Sequence, residues 1–129
     1  MGCGSVATHN AIIAAGKSSS FDDVNNYLSK TNLLFGVAGA HFYNISIYLK
    51  KQGFDVKTHI LFDVNIDELI KGSENQVGVL AYMHSEGGHY VAIEYDGSKF
   101  IMYNGPETEL SSINDFVDNG RKYLCLITI

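Results

Sequence analysis

The chain has 129 residues, of which 46% are hydrophobic and 18% charged, a composition that builds a buried core and excludes a disordered protein. Its net charge of −5, from 9 Lys and Arg against 14 Asp and Glu, argues against nucleic acid as a partner, because a phosphate backbone needs a basic face. Two cysteines, Cys3 and Cys125, are too few for a disulfide framework and favour a reducing, cytoplasmic setting, and no stretch has the length and apolarity to span a membrane or to serve as a signal peptide.

The first half has helical periodicity. Cys3, Val6, Ala7, Asn10, Ile13 and Ala14 fall on one stripe at helical spacing, and Gly16 is a natural stop. Ser20 caps a second helix through about Lys30, with Asp22 and Asp23 in its first turn. A glycine-containing bridge, Phe35 to Gly39, leads to a third helix from Ala40 to Lys51, closed by Gly53. Phe54 to Ile60 reads as a strand and Ile66 to Lys71 as a short helix. The second half turns to strands: Val77 to Tyr82, Tyr90 to Tyr95, Lys99 to Tyr103 and Tyr123 to Ile129, with a short helix from Ile113 to Val117. Helices followed by antiparallel strands, without repeat or linker, predict one α+β domain over residues 1–129.

Asp96-Gly97 is a favoured two-residue loop for a type I′ hairpin. That loop sets Glu94 against Lys99, Ile93 against Phe100, Val91 against Met102, Tyr90 against Tyr103 and His89 against Asn104. His89 and Asn104 then share a face with the two apolar pairs, with their β-carbons roughly 5 Å apart. An amide oxygen that accepts from one ring N–H fixes the tautomer and leaves the other nitrogen to take a proton from a thiol. The alternative is a histidine and an asparagine meeting near a strand end by chance.

The thiol is Cys3, between Gly2 and Gly4 at the head of the first helix. A helix N-terminus favours the thiolate and offers N–H groups to an oxyanion. A small apolar residue on a buried stripe is the plainer role for a lone cysteine, and the only one Cys125 has within Tyr123-Leu124-Cys125-Leu126-Ile127.

Cys3-Gly4-Ser5-Val6-Ala7 before an amphipathic helix, Lys51 to Val56 ending the third helix, Gly88-His89-Tyr90-Val91-Ala92-Ile93, and Asn104 before Gly105 follow one another in an order that resembles the papain-like cysteine peptidase superfamily. Within it the chain is most similar to compact bacterial peptidases of the bacteriocin-leader-processing class. The likeness runs over most of the chain. It implies a papain-like α+β fold, an N-terminal helical part packed on a C-terminal antiparallel sheet. It also implies a thiol protease, a hydrolase with no cofactor and no metal, acting on a peptide or protein substrate. By it Cys3 is the nucleophile, His89 the base and Asn104 the orienting residue. Asn104 is closer to papain's own triad than to the Asp usual in leader-processing enzymes. Relatives carry an oxyanion-hole glutamine shortly before the cysteine; here only Met1 and Gly2 precede Cys3, and Gln52 and Gln76 lie elsewhere. Three readings follow: a natural chain that begins earlier as part of a larger protein, another donor, or a weakly active domain.

Lesser candidates have simpler roles. Val6 stands where an N-terminal lipidation motif needs Ser or Thr. A four-residue loop Ser85 to Gly88 sets His84 against His89 and, with Cys3 and Glu86, makes a zinc-like ligand set without the close spacing of zinc motifs; His84 reads better as a rim residue. Gly87-Gly88 lacks the Lys-Ser/Thr and helix start of a phosphate loop. His9, His41 and His59 read as packing or surface residues. Four functions remain open: peptide hydrolysis through a thioester on Cys3, the deamidase or transglutaminase chemistry of toxins that use the same triad, a domain that binds peptide without cutting it, and, with least support, a metal-binding protein.

Overall fold

Three helices open the structure, a computed structural model that describes residues 3–35, 42–60, 64–85 and 87–129. They are α1 (Cys3–Ala14), α2 (Phe21–Phe35) and α3 (Phe42–Lys51). The end of α1 is set by Gly16, which adopts φ +89° and lets the Gly16 and Lys17 amides return to the Ile13 and Ile12 carbonyls at 2.9 and 3.1 Å. The Ser20 hydroxyl accepts from the Asp23 amide at 3.3 Å and so begins α2, which runs to Phe35 rather than Lys30. The expected glycine bridge, Gly36 to Gly39, lies outside the described residues. Next come β1 (Lys57–Ile60), α4 (Ile66–Lys71), β2 (Val77–His84), β3 (Gly87–Tyr95), β4 (Phe100–Tyr103), β5 (Glu109–Leu110), α5 (Ile113–Asp118) and β6 (Lys122–Thr128). The chain is therefore α+β, with its N-terminal helical part packed on a C-terminal antiparallel sheet.

Among the described residues the sheet has the order β1-β6-β2-β3-β4-β5, with every neighbouring pair antiparallel. Both of its faces are covered. On one, Val77, Val79, Ala81, Ala92, Cys125 and Ile127 pack with Ala7, Ala11 and Ile12 of α1, Val24 and Leu28 of α2, and Ile45 and Leu49 of α3. On the other, Leu80, Tyr82, Val91, Ile93, Phe100, Met102 and Leu126 pack with Ile66 and Ile70 of α4 and with Ile113, Phe116 and Val117 of α5. Central strands buried on both sides carry no polar alternation, and residues 77–82 of β2 are buried without a break.

Two expectations about local geometry are corrected. The buried side of α1 is Gly4, Ser5, Ala7, Thr8, Ala11 and Ile12, whereas Ile13 is 50% exposed. Small and apolar residues lie all round this helix, so their spacing fixes its length better than its rotation. Ala7 and Ala11 face the sheet because they allow the closest approach. Thr8 is tolerated there because its hydroxyl donates to the Gly4 carbonyl at 2.7 Å.

The hairpin is the second correction. Tyr95 pairs with Phe100, Glu94 with Ile101, Ile93 with Met102 and Ala92 with Tyr103, and the Asp96 amide donates to the Lys99 carbonyl at 3.0 Å. The turn is therefore centred on Gly97-Ser98, not Asp96-Gly97. Gly97 at φ +102° holds the first central position, as in a type II′ turn. Asp96 selects this register with its carboxylate, which accepts from the Ser98 and Lys99 amides, both at 2.9 Å. Those bonds hold the carboxyl below its ordinary range, the Lys99 amide contributing most.

Candidate active site

α1 brings its first residue, Cys3, to the positive end of a twelve-residue helix and lies against β3 and β2 through Ala7 and Ala11. The backbone of Cys3 belongs to α1; its side chain lies outside what the structure describes. Gly4 and Ser5, the next two residues, are buried, so the start of α1 is seated in the fold. The first backbone N–H groups of any helix have no intrahelical acceptor and favour negative charge.

β3 carries His89 at its third position, paired with Tyr82 of β2. Side chains alternate along a strand, so His89 shares its face with Val91 and Ile93, while Tyr90 and Ala92 face α1. His89 thus points to the face covered by α4 and α5. Its ring stacks on the buried Tyr82 ring, centroids 5.7 Å apart and planes 25° apart. On His84 it stacks more closely, at 4.5 Å and 9°.

The connection between β2 and β3 is shorter than the four residues expected. His84 pairs with Gly87 and Met83 with Gly88, so His84 meets His89 diagonally rather than across a rung. Glu86, the acidic member of the zinc-like set, lies outside the described residues, as does His41. Among the described residues no three His, Cys, Asp or Glu side chains are grouped to share a metal ion.

Asn104 is not opposite His89. The shifted hairpin register ends β4 at Tyr103, and Asn104 follows it, exposed, at φ +60°. Asparagine is among the few residues that enter this left-handed region readily. The structure therefore brings His89 to the start of β3 and Asn104 to the end of β4 without the direct rung that the Asp96-Gly97 turn implied.

Sequence reasoning overlooked what surrounds His89. Tyr82 meets Phe116 of α5 edge-on at 5.3 Å, and the Arg121 guanidinium lies 3.9 Å over the Phe116 ring and 5.8 Å from that of Tyr82. Arg121 also closes the C-terminal end of α5, its Nη1 donating to the Phe116 and Asn119 carbonyls at 3.0 and 3.1 Å. A basic residue just after the Asn119-Gly120 helix end was the available signal.

The remaining candidates have structural roles. Cys125 is buried, and burial pushes its thiol up to about 12, which removes it from thiolate chemistry near neutral pH. His9 shares a 2.8 Å hydrogen bond with the Ser19 hydroxyl and meets Phe21 edge-on. Burial, then the Lys57 charge, lowers the pKa of His59, whose buried Nε2 has no hydrogen-bond partner among the described residues. On the α1 face the Tyr103 hydroxyl donates to Glu94 Oε1 at 2.6 Å. That bond, with burial behind it, pushes Tyr103 up to about 12.

No protein family model matches the chain, and no curated protein matches it. Among solved structures it is similar to the crystal structure of the Pseudomonas avirulence protein AvrPphB, with 14% sequence identity and a TM-score of 0.45, over 97% of this chain and 88% of that one.

Proposed function

We propose that this chain is a papain-like acyl-transfer domain, a cysteine peptidase or a close chemical relative, that works through a thioester on Cys3. The observation that carries the reading is Cys3 as the first residue of α1, a helix laid directly on β3, the strand that begins with Gly87-Gly88-His89. Cys3 gives its proton to His89 and its sulfur attacks the carbonyl carbon of a peptide or carboxamide. The Cys3 end of α1 supplies N–H donors to the oxyanion. As the tetrahedral adduct collapses, His89 returns the proton to the leaving nitrogen, which departs as an amine or ammonia, and the thioester remains. Water, deprotonated by His89, then cleaves the thioester and releases an acid; an acceptor amine in its place gives transamidation. Asn104 orients His89 in this scheme. The substrate is a peptide or protein, whether a leader peptide or the side-chain amide of a target.

A second reading has its own observation. His89 is stacked beneath Tyr82 and His84 on the face away from α1, as suits a domain that binds peptide without turnover. An electrophilic peptide probe separates the two. The first reading expects one covalent adduct, on Cys3, lost in Cys3→Ala and slowed in His89→Ala. Labelling of Cys3 that is indifferent to His89 supports the binding domain instead.

A further inference from the structure

Two asparagines precede a glycine, in Asn104-Gly105 and Asn119-Gly120. Such a pair closes on itself when the glycine nitrogen gives up its proton to solvent, bonds to the asparagine Cγ and expels the side-chain nitrogen as ammonia. The five-membered succinimide then takes up water. It opens to aspartate, or to isoaspartate, in which the main chain runs through the β-carbon. Ring closure swings the glycine nitrogen toward Cγ, so the glycine and the chain behind it must move. Both asparagines are exposed, and neither glycine N–H has a hydrogen-bond acceptor among the described residues. Sequence and exposure therefore do not separate the two sites.

Packing separates them. Gly105 is half-buried, and a β-carbon there would collide with the side chain of Met102 and lie 3.2 Å from Val91 Cγ1. Met102 is itself part of the core beneath α4 and α5. Pro106 fixes the φ that follows, and the Met102 amide closes the segment on the Thr108 carbonyl at 2.9 Å. Gly120, by contrast, is exposed at φ +81°, where a β-carbon would meet nothing within 4 Å. Asn119 is held by hydrogen bonds. Its N–H donates to the Asp115 carbonyl at 3.1 Å, and its carbonyl accepts from Arg121 Nη1 at 3.1 Å. We propose that Asn119-Gly120 is the deamidation site of this fold, that the packing of Gly105 protects Asn104, and that the Arg121 guanidinium slows the reaction at Asn119 by holding its carbonyl. Conversion alters the join between α5 and β6. Isoaspartate adds one main-chain carbon there, and either product sets a carboxylate at the C-terminal end of α5, where the helix dipole opposes it. This inference stands apart from the thioester chemistry.

The test incubates the full chain in mildly alkaline buffer and follows both sites by peptide mapping with mass spectrometry, which resolves asparagine, aspartate and isoaspartate. In the folded chain the products are expected at residue 119 and not at residue 104. In urea, with the packing of Gly105 gone, they are expected at both. Arg121→Lys keeps the charge without the planar fork. It is expected to speed the loss of Asn119 roughly two- to tenfold, the effect of one ordinary hydrogen bond, and to leave Asn104 unchanged. Asn104 in the same sample reports any general loosening, so an equal rise at both residues overturns the role of Arg121. Asn104 reacting as fast as Asn119 in the folded wild type, or neither reacting there while both react in urea, overturns the assignment of the site.

Discussion

The rings of His84 and His89 are nearly parallel, with centroids 4.5 Å apart, across the sheet from Ala92, the buried β3 residue on the α1 side. Two histidines joined in this way, next to a Gly-Gly pair, give β3 an end that differs in kind from the rest of the strand. From Tyr90 onward every inward side chain is fixed by packing. Before it, His89 is held by its rung with Tyr82 and by ring contacts with Tyr82 and His84.

Asp67 joins the two short helices of the far layer. Its Oδ1 accepts from the Ile113 and Asn114 amides at 2.6 and 3.2 Å, and its Oδ2 from the Ser112 hydroxyl at 2.7 Å. Asn114 reciprocates, its Oδ1 accepting from the Ile66 amide at 2.8 Å at the start of α4. Asp67→Ala should destabilise the fold by about 2–3 kcal/mol in urea unfolding, since a charged acceptor of several bonds is lost. Adding Asn114→Ala should cost less than the sum of the two single changes, because the groups share one network.

Gly97→Val places a β-branched side chain at φ +102°. It should cost about 1–2 kcal/mol, the penalty of the left-handed region for an L residue. The contact between Tyr95 and Phe100, rings 5.0 Å apart, should persist in cross-strand nuclear Overhauser effects, since the Asp96 carboxylate still defines the register. Loss of that contact would mean that glycine, not Asp96, sets the turn.

Alkaline conditions should weaken the fold through Tyr103 and Cys125, with Tyr48, raised by burial, acting in the same direction. Tyr103 is raised to about 12 from 10.0, first by its bond to Glu94 and then by burial, and burial raises Cys125 to about 12 from 9.0. In each case the folded chain keeps a proton that the unfolded chain releases at lower pH. The folded state then binds more protons, so stability is complete below about pH 9 and declines as pH rises toward 12. The urea midpoint should fall across that window, and less steeply in a Tyr103→Phe/Cys125→Ser double variant than in wild type.

Much of this was present in the order of residues. α1 and α4 begin and end where cap, spacing and glycine place them, and β2, β3, β4 and β6 fall on the expected apolar runs. β5 was missed because two residues, Glu109 and Leu110, carry no alternation; only the neighbouring strand β4 makes them a strand. The hairpin register turned on one carboxylate. Asp96-Gly97 and Gly97-Ser98 are both acceptable turns, and the Asp96 side chain chooses the second by bonding to Ser98 and Lys99. The face of His89 was hidden for another reason. Its grouping with Val91 and Ile93 follows from parity, but both faces of this sheet are apolar, so parity does not say which one α1 covers.

Acid-quenched intact-mass spectrometry with an activated acyl ester tests the central claim most directly. The account predicts one hydroxylamine-labile acyl adduct per chain, on Cys3. It should be absent in Cys3→Ala, form more slowly in His89→Ala, and be unchanged in Cys125→Ser. A folded chain that gains no adduct, or one whose Cys3 is acylated as fast without His89 as with it, would contradict an acyl-transfer site built on these residues.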